Sequence, residues 1–548
     1  MKLWEFLSRE SDVPLSRVMA IAAVSGLANA LLLAVVNQGA HTVSSGETTQ
    51  LFILFGVVIS LYIVTQRYIL RVASIEVERI IAKLRVSLSQ KIRQADLGPL
   101  ELLGRSRIYA SMQTETLTIS QSTAPMIIAC QGSILIVFSM LYMLILSRVA
   151  FFLTVAIVGL GVLVHFKSRN ELIAEMHRST AKENEFFDVL TDLLEGFKEM
   201  KLNQARGRDL FAELTQIAED VAETKTKTGV RYADYYIFTQ VLFYLLIGAM
   251  VFVLPGLSAV YSDQVTQLTA AILFIIGPIT GVVGAFPVFR LAEHSIENIA
   301  RLEAELDQAR VGNNDTYAGN GEPPPVMKTI ELNTVRFSYT DRDDHPLFTV
   351  GPLDLTLNQG EVLLIVGGNG SGKSTLLKLL TSLYYPSSGE IRVNGLDART
   401  IGYRTYRELF SAIFADYHLF ERLYGVSGVD DKRVVELLRL MGLERKTTWL
   451  DGRFANQELS TGQRKRLALI ISLLEDKQIY VFDEWAADQD PSFRKFFYET
   501  LLPEMKRRGK TVVAATHDER YFHVGDRVLK LEAGRFIDDS GPTEIGTR

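Results

Sequence analysis

Nine consecutive residues, Gly367-Gly368-Asn369-Gly370-Ser371-Gly372-Lys373-Ser374-Thr375, have the types and spacing to cradle a polyphosphate. Glycines let successive backbone N–H groups turn inward on phosphate oxygens, and a helix starting at the loop adds the favourable end of its dipole. Lys373 is placed to reach the outer phosphates and Ser374 to hold Mg²⁺. The flanks suit that chemistry. Val362-Leu363-Leu364-Ile365-Val366 reads as a buried strand, and Leu376-Leu377-Lys378-Leu379-Leu380 as the helix. A chance glycine-rich turn is the competing reading, and it fails once the next carboxylates are considered.

Those carboxylates are Asp483 and Glu484, delivered by the apolar strand Ile479-Tyr480-Val481-Phe482. Adjacent acids at a strand end suit Mg²⁺-ATP hydrolysis: Asp483 on the metal, Glu484 orienting and deprotonating the attacking water. A solvated turn would also carry two acids, but not downstream of a phosphate loop.

The elements that must position these groups fall into two halves. Apolar residues are 48% of the chain. They concentrate in its first half as runs of about 20, the length that crosses a bilayer core. Six runs qualify, at about Val18 to Val36, Leu51 to Ile69, Ala124 to Leu146, Ala150 to Phe166, Tyr235 to Pro255 and Leu268 to Phe289. Ala28-Asn29-Ala30 looks like a signal-peptidase site, but the run continues through Leu31-Leu32-Leu33, which favours a retained span. Basic residues gather before the first span, between the second and third, and between the fourth and fifth. The other connections carry almost none, so both termini are expected in the cytoplasm. The two basic loops mix apolar and charged residues at helical spacing. They read as cytoplasmic extensions reversing near Gly98-Pro99 and near Gln204-Ala205-Arg206-Gly207, one or both able to dock on a nucleotide-binding domain.

Polar residues in the spans, among them Asn29, Asn37, Gln66, Gln131, His165, Gln240 and Gln267, read as glue between helices. The single cysteine, Cys130, lies in an apolar run and cannot form an intrachain disulfide. A net charge of −5 gives no sign of nucleic-acid binding. From Asp307 to Lys328 a Gly/Asn/Pro-rich stretch reads as a linker. The expected division is a membrane domain over 1–306, a linker over 307–329 and an ATP-binding domain over 330–548. In the last, strands and helices alternate to about Asp538, with a more helical insert from about Arg404 to Glu458.

Between the two phosphate motifs lies Leu459-Ser460-Thr461-Gly462-Gln463, opening the helix of Arg466-Leu467-Ala468-Leu469-Ile470. Here the chain resembles the ATP-binding-cassette (ABC) transporters, whose signature Leu-Ser-Gly-Gly-Gln differs only at Thr461. The resemblance runs over essentially the whole chain. It implies a six-helix all-α transmembrane domain of the ABC exporter type, fused to an α/β P-loop ATPase domain with a helical subdomain. By the same resemblance Tyr339 stacks on adenine, Asp490 in Ala487-Asp488-Gln489-Asp490 is the D-loop acid, and His517 contacts the γ-phosphate. Ser460, Thr461, Gly462 and Gln463 complete the ATP site of a second copy, which implies a homodimer. The family usually carries a Gln after the strand that leads into its helical subdomain. Here the stretch is Ile413-Phe414-Ala415-Asp416-Tyr417-His418, with Ala415 or Asp416 at that place: either Asp416 substitutes as a magnesium contact or the coupling of that loop differs.

Within ABC exporters the chain looks closest to the bacterial cyclic-peptide exporters of lasso microcins, cyclic lipopeptides or siderophore precursors such as that of pyoverdine. Phe482-Asp483-Glu484-Trp485-Ala486-Ala487-Asp488-Gln489-Asp490-Pro491 and Leu194-Glu195-Gly196-Phe197-Lys198-Glu199-Met200-Lys201-Leu202-Asn203 carry that likeness. It implies the bacterial inner membrane, outward export, ATP and Mg²⁺ as cofactors, membrane lipid as surroundings and a cyclic or modified peptide as cargo. A lipid or multidrug exporter and a membrane ATP sensor that moves nothing are the competing readings.

Overall fold

Long apolar runs form long helices in the computed structural model. It describes residues 9–42, 48–257, 265–310, 323–340, 345–426, 428–450, 452–456 and 458–540. The chain divides into two compact units, Met1–Lys91 with Arg105–Glu305 and Ile92–Gly104 with Leu306–Arg548. Much of the expected linker, residues 311–322, lies outside the described residues.

In chain order the first helices are α1 (Leu15–Thr42), α2 (Thr48–Gln94), the short α3 (Leu97–Leu103) and α4 (Thr116–Leu146). They are followed by α5 (Arg148–Glu195), α6 (Gln204–Gly248) and α7 (Val265–Gln308). Among the described residues five of them are long and apolar enough to cross a membrane, and α5 adds an apolar stretch over Arg148–Val164. All six expected spans lie in these helices, the fifth running on from α6 through the π-turn Ala249–Val253. This is a multi-pass membrane protein. At 1.5 Å per residue, α2 is about 70 Å long, more than twice a ~30 Å hydrocarbon core. Its outer surface is apolar, with Phe52 75% exposed, as lipid requires of a spanning helix.

Two of the polar span residues hold helices together as expected. Asn37 of α1 donates to the Gln267 carbonyl of α7 (3.0 Å) and to the Tyr142 hydroxyl of α4 (3.2 Å). Gln66 of α2 accepts from Ser25 of α1 at 3.2 Å. The His165 side chain lies outside the described residues. The second reversal differs from expectation. Gln204-Ala205-Arg206-Gly207 is helical, and the turn is the preceding Gly196–Asn203, which includes the short helix Phe197–Leu202. Asn203 ends it by N-capping α6, accepting from the backbone N–H groups of Ala205 and Arg206.

The second unit contains a six-stranded sheet of order β12-β11-β3-β10-β9-β6. Its strands are β3 (Val362–Val366), β6 (Phe410–Ile413), β9 (Ile479–Asp483), β10 (Thr511–Ala515), β11 (Arg527–Glu532) and β12 (Arg535–Ser540). All neighbours are parallel except β11 and β12. β3, β9 and β10 are buried along their whole length, as strands covered on both faces must be. β1 (Thr329–Thr340), β2 (Pro346–Asn358), β4 (Ser388–Val393) and β5 (Leu396–Asp397) form a four-stranded antiparallel sheet. The more helical insert expected from about Arg404 to Glu458 also holds a strand: β6 falls inside it and pairs with β9. Four residues, Phe410-Ser411-Ala412-Ile413, are too few for their period to show in the sequence. Beyond it come helix α9 (Asp431–Leu440), a two-residue-stranded hairpin and α10 (Thr461–Glu475), while α8 (Lys373–Leu380) follows the phosphate loop.

Candidate functional site

Register places the chemistry. Ala515 of β10 lies beside both Ile365 of β3 and Asp483 of β9. The carboxyl ends of three parallel strands therefore open on one edge, and each hands its next residues to the same place. That edge is where ligands bind in open parallel sheets.

From β3 the chain turns at Gly367, where a Cβ would fall 2.1 Å from the Leu531 carbonyl oxygen, so only glycine fits. Gly372 caps α8 at a φ of 103°, again outside the range of side-chain-bearing residues. Between them Asn369 and Gly370 are exposed, Ser371 is buried, and Ser374 is exposed on the first turn of α8. The Ser371 hydroxyl is buried with no hydrogen-bond partner. Lys373 is buried with its ammonium folded over the loop, donating to the carbonyls of Gly367 (2.9 Å) and Gly368 (3.1 Å). Thr375 is buried and its hydroxyl meets that of Tyr339 at 3.1 Å. Tyr339 packs edge-on against Phe337 and Tyr384, at ring separations of 5.1 and 5.9 Å.

From β9 come Asp483 and Glu484. Glu484 stands in the left-handed region at φ 49°, a conformation that costs a residue with a side chain about 1–2 kcal/mol. Its Oε1 lies 2.9 Å from His517 Nε2 and 3.4 Å from Lys373 Nζ. Partial burial pulls its carboxyl up, but the hydrogen bond from His517 and the charge of Lys373 outweigh that and hold it below the ordinary glutamate value. Asp483 behaves oppositely. Burial pushes its carboxyl up, partly countered by the Ser374 hydroxyl, and the charge of Glu484 adds to the rise.

Asp483 Oδ1 is buried without a hydrogen-bond partner. A buried, unpartnered carboxylate oxygen beside a serine hydroxyl is the oxygen donor set that Mg²⁺ takes. The residues fit that ion. Asp416 is exposed at the end of the loop after β6, and it is the backbone N–H of the neighbouring Ala415 that donates to Asp483.

Ser460 N-caps α10 in a reciprocal capping box with Gln463, and Thr461 and Gly462 form its first turn. Among the described residues no hydrogen bond or ion pair joins Ser460–Gln463 to the phosphate loop. Asp490 caps the helix Pro491–Phe496 through the Phe493 N–H (2.9 Å) and pairs with Arg466 of α10. The Ser492 hydroxyl, that N–H and Arg466 together hold its carboxyl down to about 2.

The sequence reading missed two sets of contacts. In the first, Lys465 of α10 is buried and donates to the Glu484 carbonyl at 2.9 Å. Its burial is signalled by helical spacing, since Lys465, Ala468, Leu469 and Ser472 share one buried face. In the second, α3 packs within the ATP-binding unit. Lys378 of α8 and the hydroxyl of Tyr384 meet the Glu101 carboxylate, and Tyr385 donates to Asp96 at 2.7 Å. This second set shows no local pattern.

A family model for the ABC transporter domain matches residues 350–487. The ATP-binding protein SyrD of Pseudomonas syringae pv. syringae is 32% identical over 534 residues, covering 94% of this chain and 92% of that one. The mycobactin import ATP-binding/permease protein IrtB of Mycolicibacterium smegmatis is 26% identical over 57% of this chain and 55% of its own. Among solved structures, a bacterial Atm1-family ABC exporter with ATP bound superposes with a TM-score of 0.75. That match covers 96% of this chain and 95% of the other at 16% identity, a likeness of fold.

Proposed function

This chain belongs to the ABC exporters, as a half-transporter whose ATPase drives transport, and from that premise we propose that two copies export a cyclic or non-ribosomal peptide, siderophore precursors included, across a bacterial inner membrane. Convergence of Lys373, Glu484 and His517 on one sheet edge, in a chain that also carries membrane-length helices, is the observation that supports the reading. The match to SyrD along nearly the whole chain supports the reading as one continuous transporter chain, and Trp485-Ala486-Ala487-Asp488-Gln489, by their resemblance to the cyclic-peptide exporters, support the peptide branch.

In this mechanism the phosphate loop binds ATP through its backbone N–H groups, and Lys373 leaves the Gly367 and Gly368 carbonyls for the outer phosphates. Tyr339 supports the adenine. Glu484 takes a proton from the attacking water as its oxygen adds to the γ-phosphorus and ADP leaves. Being held ionised below the ordinary range, its carboxylate is ready to accept. His517 orients that carboxylate. Ser374 and Asp483 would hold Mg²⁺, which when bound neutralises phosphate charge.

The signature residues Ser460 to Gln463 of each copy complete the other's site, so the unit is a homodimer with two equivalent sites. ATP clasped between the cytoplasmic domains turns the cavity outward, and hydrolysis resets it. Moving such an equilibrium from 1:99 to 99:1 takes about 5.5 kcal/mol of differential binding.

The test is ATPase activity and vesicle uptake with purified cargo classes. Cyclic peptides should stimulate hydrolysis and accumulate in inverted vesicles, while lipid A and hydrophobic dyes do neither. Stimulation by lipid or dyes alone would move the chain to the lipid or drug branch. Hydrolysis without any uptake would make it a sensor.

A further inference from the structure

We propose that Lys465 is a positioning residue for ATP hydrolysis: its buried ammonium holds the Glu484 main chain in the left-handed turn that aims the carboxylate at Lys373 and His517. The inference rests on the reading of Glu484 as the general base.

The geometry is specific. Lys465 Nζ donates to the Glu484 carbonyl at 2.9 Å and pairs with Asp488 Oδ2 at 2.7 Å. It therefore spans the segment Glu484–Asp488 from within. Trp485, fully buried between these two residues, returns a bond from its Nε1 to the Lys465 carbonyl at 2.9 Å. The helical turn Trp485–Asp488 is thus fastened to α10 at both faces, and Glu484, the residue that caps its start, is the one with φ 49°. A residue with a side chain leaves that region when nothing holds it. Beside the backbone hydrogen bonds from the Glu484 N–H to the Ala515 carbonyl and from the Ala487 N–H to the Glu484 carbonyl, what holds Glu484 here is an ion-dipole contact from the buried Lys465 ammonium to that same carbonyl.

Burial of the ammonium argues against a merely solvated lysine. An unpaired buried charge is strongly disfavoured, and this one is satisfied by the two groups whose placement it fixes. Arg464 on the same helix is exposed, and Arg466 turns to Gln489 and Asp490 instead. Lys465 alone of the three reaches the residue that carries the carboxylate. It touches no reacting atom, so its effect must pass through Glu484.

The experiment compares the full-length protein in lipid nanodiscs with Lys465→Met, Glu484→Gln and the double variant, measuring kcat and KM for ATP. Lys465→Met should lower kcat by about 10²-fold, the scale of a misplacement near 1 Å. KM should stay within about twofold, because the phosphate loop is untouched. On the Glu484→Gln background the same change should lower the residual rate by no more than about twofold, since the group it positions is gone. A parental kcat in Lys465→Met, or losses that multiply in the double variant, would overturn the proposal. If Lys465→Met melts early, the paired Lys465→Met/Asp488→Asn variant removes both charges together and carries the same expectation. A parental rate in Glu484→Gln would instead refute the base assignment itself, so the two failures are distinguishable.

Discussion

His517 Nε2 and Lys373 Nζ converge on a single oxygen of Glu484, at 2.9 and 3.4 Å. That oxygen is thereby fixed by two partners. The pair also sets when the base is ionised, because their pull outweighs the burial that would raise its pKa. With the folded value below the ordinary one, Glu484 stays ionised as pH falls to the usual carboxylate range and loses its charge only beneath it. His517→Ala removes one of the two opposing influences, so burial regains ground and the pKa rises. The acid limb of kcat should move to higher pH, alongside a lower plateau. A pH–rate profile checks it, and an unmoved acid limb would detach His517 from Glu484.

Lys373 and Glu484 should fail in different ways. Lys373→Ala removes the phosphate contact, so ATP binding weakens and turnover is lost. Glu484→Gln keeps the shape of the carboxylate but not its basicity, so ATP binds with about parental affinity while hydrolysis falls by 10² or more. Fluorescent-nucleotide titration beside phosphate release separates the two.

Ser460 offers a comparison of sizes. Its hydroxyl accepts from the Gln463 N–H, and loss of such a cap costs about 1 kcal/mol. Ser460→Ala should lower the melting temperature by only a few degrees. ATPase activity should fall far more than that destabilisation explains, because in the proposed homodimer the same hydroxyl serves the site of the other copy. Activity that tracks stability alone would leave Ser460 a simple cap.

Glu101 is held by Lys378 on the phosphate-loop helix and by Tyr384, whose ring stacks on Phe337 at 4.7 Å. Tyr339, the expected adenine contact, packs on the same aromatic pair. Glu101→Ala should leave basal ATPase within about threefold, since an exposed ion pair contributes little to stability. Cargo stimulation should disappear. Measuring basal and stimulated rates in one preparation decides it.

Legibility in the sequence followed locality. The loop Gly367–Thr375 and the strand ending in Asp483-Glu484 are contiguous runs in which residue type and neighbour specify each other, and both were readable. The membrane helices were readable because an apolar run of bilayer length has few other solutions. β6 has too few residues to show a period, and it is the family resemblance that puts a strand ahead of Ala415-Asp416. The turn before α6 was misplaced because Gly207 looks like a reversal, whereas the Asn203 cap that ends it is a side-chain event. Lys465 sits between two arginines, and its helical spacing signals burial but no role. Only the tertiary partner Glu484, 19 positions away, reveals its role.

Cross-linking tests the shared ATP site most directly. With the lone Cys130 changed to serine, Asn369→Cys and Ser460→Cys place one thiol on the phosphate loop and one on the signature. In the Glu484→Gln background with ATP, oxidation should produce a disulfide between chains, a species of twice the chain mass that is absent without nucleotide. A product that stays at single-chain mass, although both thiols react with maleimide, would contradict the account.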